Sequence, residues 1–271
     1  MDKIVVTTSA KINIGLWVFG VRSDGFHNIQ SIFFPVNENN SNLKGDRIEI
    51  SEGCFCGAGK VRILTSGITI GGDPLHNSCV KAYNLLDEKF NLPPVNIHLE
   101  KNVPIGAGLG GGSADGVYTL KALSELFNLS LSNDDLTEFA ARLGSDCPFF
   151  VNLQPALIEG RGEIITPLEE NETIAYLNKN YKIEIIPSSV FISTPHAYSI
   201  VGERTSQNNS LLDLISQPIS QWQSTIVNDF EEPVFKEYPE LRKTKEELLS
   251  RGAIYASMTG SGSAIYGIFN K

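Results

Sequence analysis

The chain has 271 residues, of which 41% are hydrophobic, and its 24 glycines and 13 prolines indicate many turns. This length can bury one large core or two modest ones, and we expect two domains, residues 1–155 and 156–271. With 22 basic and 31 acidic residues the formal charge is −9, which argues against nucleic-acid binding through many phosphate contacts. An anionic ligand must then be bound by a local cluster of hydrogen-bond donors.

The N-terminal residues lack a basic region followed by an apolar run and a small-residue cleavage site, so they do not read as a signal peptide. No apolar run approaches the roughly 20 residues that a membrane helix needs. We therefore expect a cytoplasmic protein without a membrane partner, either a monomer or a homodimer. Its cysteines, Cys54, Cys56, Cys79 and Cys147, are too few and too irregular for a disulfide framework, and we expect reduced thiols.

The first half of the chain alternates strand and helix patterns. Strands are predicted at residues 4–7, 30–35, 47–50, 61–63 and 95–99. Helices are predicted at residues 77–90, 117–127 and 134–143, the last capped by Ser132 or Asn133.

The second half reads as an α+β module. Residues 156–165 are typical of a hairpin that turns at residues 160–162. From about residue 181 the pattern is strand, linker, helices and strand. Apolar sequences typical of strands flank a Gly/Ser segment near residue 260. Residues 37–42 and 205–210 are polar and predict loops.

A glycine-rich segment, PIGAGLGGGSADG at residues 104–116, lies between a predicted strand and a predicted helix. Glycines allow positive φ and let a ligand approach the main chain closely. The free amides at the start of the following helix favour phosphate. The order of strand, glycine loop and helix therefore predicts a phosphate site.

Spacing separates the phosphate motifs that compete for this loop. Gly106, Gly108 and Gly111 satisfy G-x-G-x-x-G, the fingerprint of nicotinamide oxidoreductases, but the acidic residue required about 20 positions later is absent from residues 127–133. A P-loop needs Lys and then Ser or Thr after its last glycine, whereas Gly112 is followed by Ser113 and an alanine. A flexible surface turn is the remaining, non-functional alternative.

The loop is similar to the P-x-G-x-G-L-G-S/G-S-S/A pattern of the GHMP kinases. Three further segments resemble motifs of that family in the same order: residues 9–16 (SAKINIGL), 143–150 (LGSDCPFF) and 258–264 (MTGSGSA). The resemblance implies an α+β, two-domain GHMP kinase fold. Its N-terminal domain would be like domain 2 of ribosomal protein S5 and its C-terminal domain ferredoxin-like, with the active site in the cleft between them.

Within the family, residues 22–31 (RSDGFHNIQS) resemble the segment that binds cytidine in one branch. That branch phosphorylates a cytidine diphosphate alcohol in the non-mevalonate route to isoprenoid precursors. A kinase for another small alcohol, of the homoserine or mevalonate type, is the alternative within the fold. A non-catalytic nucleotide-binding sensor is the alternative outside enzymes.

The resemblance implies that Lys11 and Asp146 are catalytic. Asp146 would accept the proton of the attacking hydroxyl, and Lys11 would neutralise charge on the transferring phosphoryl group. ATP would be the phosphate donor, with Mg²⁺ bridging its phosphate oxygens, but no protein ligand of the metal is assigned. The expected ATP-binding residues are Pro104, Gly106, Ala107, Gly108, Leu109, Gly110, Gly111, Gly112, Ser113, Asn77 and Lys101.

For the acceptor, His27 can pair with the edge of a cytosine while aromatic rings stack on its faces. Phe26 and Tyr198 would supply those rings, although many relatives carry Tyr where this chain has Phe26. Asn13 would hold a hydroxyl or diphosphate near Lys11. The expected substrate-binding residues are Asn13, Phe26, His27, Tyr198, Gly260, Ser261 and Gly262.

Overall fold

A computed structural model describes residues 3–53, 59–202, 204 and 210–271. Cys54, Cys56 and most of the predicted loop at residues 205–210 lie outside this part of the chain. The chain forms two compact units. Unit 1 contains residues 1–10, 44–105 and 110–153, and unit 2 contains residues 11–43, 106–109 and 154–271.

Unit 1 is built on a four-stranded sheet with the order β1-β4-β6-β5. Its strands are β1 (Lys3–Thr7), β4 (Arg47–Glu52), β5 (Val61–Gly67) and β6 (Val95–Lys101). A 3-10 helix (Pro74–His76) precedes its helices α1 (Ser78–Phe90), α2 (Gly111–Leu126), α3 (Asn133–Leu143) and α4 (Phe149–Asn152). The alternating burial of β6 and the contacts of α2 with β1 and β4 place the core between the sheet and the helices.

Unit 2 holds two sheets, with the orders β2-β3-β7-β8 and β10-β11-β9. The first contains β2 (Ala10–Val21), β3 (His27–Val36), β7 (Ala156–Gly160) and β8 (Ile164–Pro167). The second contains β9 (Tyr181–Ile186), β10 (Tyr255–Met258) and β11 (Ile265–Asn270). The helices are α5 (Glu172–Asn180), α6 (Thr194–Ile200), α7 (Leu211–Ile215), α8 (Ile219–Thr225), α9 (Glu231–Glu237) and α10 (Pro239–Ser250).

Local sequence signals explain the helix starts that position the candidate site. The side chain of Asn77 accepts a hydrogen bond from the amide of Cys79 and caps α1. Ser132 and Asp135 form a reciprocal capping box at α3, so the cap is Ser132. The predicted strands, the three predicted helices of unit 1 and the hairpin at residues 156–165 are confirmed.

One long element was not predicted. The strand β2 covers Ala10–Val21, and most of its residues are buried. Residues 11–14 alternate between polar and apolar side chains, but residues 16–19 (LWVF) do not, and residues on both faces of the strand are buried. The division at residue 155 stays a prediction, since each compact unit combines several separate stretches of the chain.

Among the described helices, none has the combination of length and apolar sequence that a membrane span requires.

Candidate active site

The glycine loop at residues 104–112 adopts a backbone conformation that is unfavourable for residues with a Cβ atom. Gly106, Gly108 and Gly110 have φ of 65°, 75° and 72°, in the left-handed region that favours glycine. A Cβ atom on Gly108 would lie 2.0 Å from the carbonyl oxygen of Thr259. The Thr259 hydroxyl in turn donates a 3.1 Å hydrogen bond to the Gly108 carbonyl. The backbone conformation therefore favours glycine at all three positions, and the close approach requires it at Gly108.

The loop leads into α2, whose first turn is open to a ligand. The N-cap residue is Gly110, which has no side chain with which to cap the first amides of the helix. The first amides of a helix have no partner inside the helix, so those of Gly111, Gly112 and Ser113 can receive an anion. Gly112 is exposed and Ser113 half-buried. This geometry agrees with a phosphate cradle.

Two predicted ATP contacts have structural roles in this molecule. The amide oxygen of Asn77 caps α1, as described above. The ammonium of Lys101 is buried and forms ion pairs with Asp46 and with Asp115, the latter at 2.7 Å. A direct contact of either residue with ATP stays a prediction.

Asp146 lies in the short connection between α3 and α4 and is half-buried.

The next residue, Cys147, is buried, and burial raises the pKa of its thiol to about 11 while a hydrogen bond with Ser113 opposes the shift. Burial likewise raises the pKa of the Cys79 thiol to about 12. Both thiols are free, and the raised pKa values favour their protonated form at neutral pH.

In unit 2, Lys11 is buried in a polar network on β2. Its ammonium donates a 2.5 Å hydrogen bond to Oδ1 of Asn13 and lies 4.5 Å from the ring centre of Phe33. The Asn13 amide group donates to the Ser31 hydroxyl at 2.9 Å, and its backbone amide donates to Thr259 Oγ1 at 3.1 Å. Burial and these bonds restrict the positions that Lys11 and Asn13 can take.

The third glycine-rich segment is held beside this network. Gly260 and Gly262 have φ of 57° and 94°, and a Cβ atom on Gly260 would lie 3.6 Å from Asn13 Oδ1. The side-chain amide of Asn228 donates to the carbonyl of Gly260 at 2.8 Å. Ser261, between the two glycines, is half-buried. The structure thus brings Asn13 and Gly260 together.

Unit 2 also contains an aromatic pair. The rings of His27 and Tyr198 lie 4.9 Å apart between centres, at an interplanar angle of 32°. Phe26 is 52% exposed and faces the guanidinium of Arg161, which lies 5.4 Å from its ring centre. The predicted partners His27 and Tyr198 therefore meet, whereas the ring of Phe26 contacts a different residue.

Sequence reasoning missed several residues of these networks. Thr259 stands within the predicted Gly/Ser segment, and a search for buried hydroxyls beside the glycines could have found it. Asp46 and Asp115 form ion pairs with Lys101 from positions 55 and 14 residues away, so no local spacing indicates them. The described residues contain no group of three or more His, Cys, Asp or Glu placed to hold a metal ion.

The glycine-lined start of α2 agrees with phosphate binding, and a buried lysine and a half-buried carboxylate are residue types that phosphoryl transfer uses. These features agree with the predicted small-molecule kinase. Family comparison agrees: residues 77–152 match the model of the GHMP kinases N terminal domain, and residues 209–271 match that of the GHMP kinases C terminal. The chain belongs to the GHMP kinase family, and its predicted α+β two-domain fold is confirmed.

Curated relatives match nearly the whole chain. The 4-diphosphocytidyl-2-C-methyl-D-erythritol kinase of Azobacteroides pseudotrichonymphae is 43% identical over 268 residues, covering 99% of this chain and 94% of the relative. The enzyme of the same name from Bacteroides fragilis is 41% identical over 269 residues, covering 98% and 92%.

Solved structures agree on the fold. A crystal structure of 4-(cytidine 5'-diphospho)-2C-methyl-D-erythritol kinase superposes with a TM-score of 0.75 at 27% identity, covering 97% of this chain and 89% of that one. Homoserine kinase from Cytophaga hutchinsonii gives a TM-score of 0.67 at 18% identity, covering 99% and 85%, and supports the fold alone.

Proposed function

We propose that this protein transfers the γ-phosphate of ATP to the 2-hydroxyl of 4-diphosphocytidyl-2-C-methyl-D-erythritol. The products are ADP and the 2-phosphate, in the non-mevalonate (MEP) pathway to isoprenoid precursors. The curated relatives of that name, at 41% and 43% identity over almost the full length, support this reaction.

The observation that carries the acceptor assignment is the pairing of His27 with Tyr198. A cytosine needs a stacking surface and a hydrogen-bonding edge, and these two rings, 4.9 Å apart in unit 2, offer both. His27 belongs to the D-G-F-H segment that singled out the cytidine branch in the sequence. Phe26, the preceding residue in the sequence, is exposed and would add apolar surface for the base.

The donor site would be the glycine loop and the first turn of α2. Backbone amides from Gly106 to Gly112 would hold the phosphates, because the positive φ of alternate glycines shapes the loop and no side chain caps the start of α2. Mg²⁺ would accompany ATP and offset the charge of its phosphates, with no protein ligand assigned to it. We expect the protein to act in the cytoplasm, where ATP and Mg²⁺ are available.

For the chemical step, Asp146 would accept the proton that the 2-hydroxyl loses as it attacks phosphorus. Lys11 would offset the negative charge that spreads over the phosphoryl oxygens. Asn13 would hold Lys11 in place through the 2.5 Å hydrogen bond and would offer its amide to the acceptor.

The test of the function is ADP release by the purified chain with Mg-ATP. The acceptors compared are 4-diphosphocytidyl-2-C-methyl-D-erythritol, homoserine, mevalonate and none. We expect turnover with the cytidine substrate alone. Turnover with another alcohol would support the kinase activity but refute the acceptor assignment. Mg-ATP binding without turnover on any acceptor would indicate a nucleotide sensor.

Asp146→Asn tests the proposed proton acceptor. General acid–base catalysis contributes about 100-fold to 10,000-fold, so kcat should fall by at least 100-fold while the KM for ATP changes little. Asp134→Asn is the matched control, since Asp134 is an exposed acid in the first turn of α3. Near-native turnover in the Asp146 variant would remove this residue from the mechanism.

A further inference from the structure

The two ends of the glycine loop are attached to one buried group of charges in unit 1. At the leading end, the backbone amides of Asn102 and Val103 donate hydrogen bonds of 2.6 and 2.7 Å to Oδ1 of Asp46. Its other oxygen, Oδ2, accepts from the ammonium of Lys101. Asp46 therefore fixes the segment that leads directly into Pro104.

The trailing end is held through the same ammonium. Lys101 donates a 2.7 Å hydrogen bond to Oδ2 of Asp115, which stands in the second turn of α2. A Cβ atom on Gly111 would lie 3.1 Å from Lys101 Nζ and 2.9 Å from Val103 Cγ1. The cluster thus sits directly against the first residue of α2, and glycine there permits the contact.

Stability alone is a weak reason for such a cluster. The side chains of Lys101, Asp46 and Asp115 are 4%, 0% and 4% exposed, and removing charges from water costs several kcal/mol per ion. Well-packed apolar side chains of similar volume are often as stable as a buried ion pair. One oxygen of Asp115, Oδ1, has no hydrogen-bond partner among the described residues, which adds to the cost.

Hydrogen bonds to the carbonyls of Ala107, Gly108 and Leu109 hold the middle of the glycine loop. Its alternate residues lack side chains, and glycine has more backbone freedom to lose than any other residue. Positioning of the phosphate amides therefore also depends on how firmly the flanking segments are held. Directional, charge-assisted hydrogen bonds fix those segments in a way that apolar contacts cannot.

We propose that Asp46, Lys101 and Asp115 are positioning residues for nucleotide binding, which hold both ends of the glycine loop in the conformation that receives phosphate. The inference rests on the proposed function, in which this loop binds ATP. It assigns Lys101 an indirect role, through the loop backbone, in place of a direct contact with the nucleotide.

The test compares Asp115→Asn and Lys101→Met with the unaltered chain. Asp115→Asn preserves the shape of the side chain and leaves Lys101 paired with Asp46, so it is the variant expected to fold. The dissociation constant of Mg-ADP is measured by titration calorimetry, and the KM for ATP and kcat are measured separately. Lys60→Met is the matched control, because Lys60 also bonds two acceptors, Asp87 and Asn91, in unit 1.

We expect Asp115→Asn to weaken Mg-ADP binding about tenfold, the equivalent of one hydrogen bond to a charged group. Lys101→Met should weaken it further, and Lys101→Arg should restore part of the affinity. The KM for ATP should follow the dissociation constant, with the KM for the acceptor and kcat nearly unchanged. Lys60→Met should leave nucleotide affinity within twofold of the unaltered chain.

A purely structural role would lower the unfolding midpoint without moving the dissociation constant measured well below that midpoint. Folded Asp115→Asn protein with unaltered affinity for Mg-ADP would therefore overturn the inference while leaving the kinase function intact. Absence of Mg-ADP binding by the unaltered chain would overturn the proposed function, and this inference with it. The two failures are distinguished by the unaltered chain alone.

Discussion

Replacing Gly108 by alanine tests the close approach on which the glycine loop depends. Ala in the left-handed region costs about 1–2 kcal/mol. The added Cβ would meet the Thr259 carbonyl oxygen at 2.0 Å, whereas ordinary contact begins at 3.4 Å, so backbone must move by more than 1 Å. Such overpacking costs about 1–3 kcal/mol, and loss of the hydrogen bond from Thr259 to the Gly108 carbonyl adds about 1 kcal/mol.

The substitution Gly252→Ala separates the cost of the left-handed backbone conformation from the cost of the steric clash. Gly252 also lies in unit 2 and has φ of 94°, but a Cβ atom there would meet nothing within 4 Å. It therefore carries the backbone cost without the clash. Equilibrium urea unfolding, followed by the fluorescence of the two tryptophans, should show Gly108→Ala to be less stable than Gly252→Ala by about 2–4 kcal/mol. Equal destabilisation by the two substitutions would refute the reasoning from the close approach.

Three further predictions concern other parts of the molecule. Burial raises the pKa of Asp115 to about 7, with Lys101 opposing the shift, so the folded chain binds this proton more tightly than the unfolded chain and stability should fall as pH rises from about 4 through 7. The unfolding temperature of Asp115→Asn should not show this fall with pH. The same pH dependence of the unfolding temperature in the variant and in the unaltered chain would contradict the prediction. His27→Ala should raise the KM for the cytidine substrate about tenfold, because it removes stacking and a hydrogen bond, with the KM for ATP as internal control. Tyr266→Phe should lower the free energy of unfolding by about 1 kcal/mol in urea titrations, since it removes a buried 2.7 Å hydrogen bond to the carbonyl of Asn13.

The elements with strong local signals were predictable from the sequence. The capped helix α1, the helix α3 with Ser132 at its start and the hairpin around residues 160–162 follow from periodicity, capping and turn chemistry. The family was predictable for a similar reason, because each of its motifs is a short continuous segment. Both predictions are confirmed.

Features that join distant parts of the chain were not predictable in this way. Strand β2 alternates only over residues 11–14, because both of its faces are covered, and the ion pairs of Lys101 join segments whose separation carries no periodic signal. The networks around Lys11 depend on Thr259, 248 positions later in the sequence, and no local pattern relates the two positions. The roles of the individual site residues stay predictions.

Unit 2 takes β2 and β3 from near the start of the chain and β11 from near its end. The hydroxyl of Tyr266 bonds to the carbonyl of Asn13 across 253 positions in the sequence. On a translating ribosome, the polar network around Lys11 must therefore wait for nearly the whole chain before its last donor is available. Strand β3 also waits for its later partner β7, so the order of translation makes Lys11 among the first residues made and among the last to reach its final surroundings.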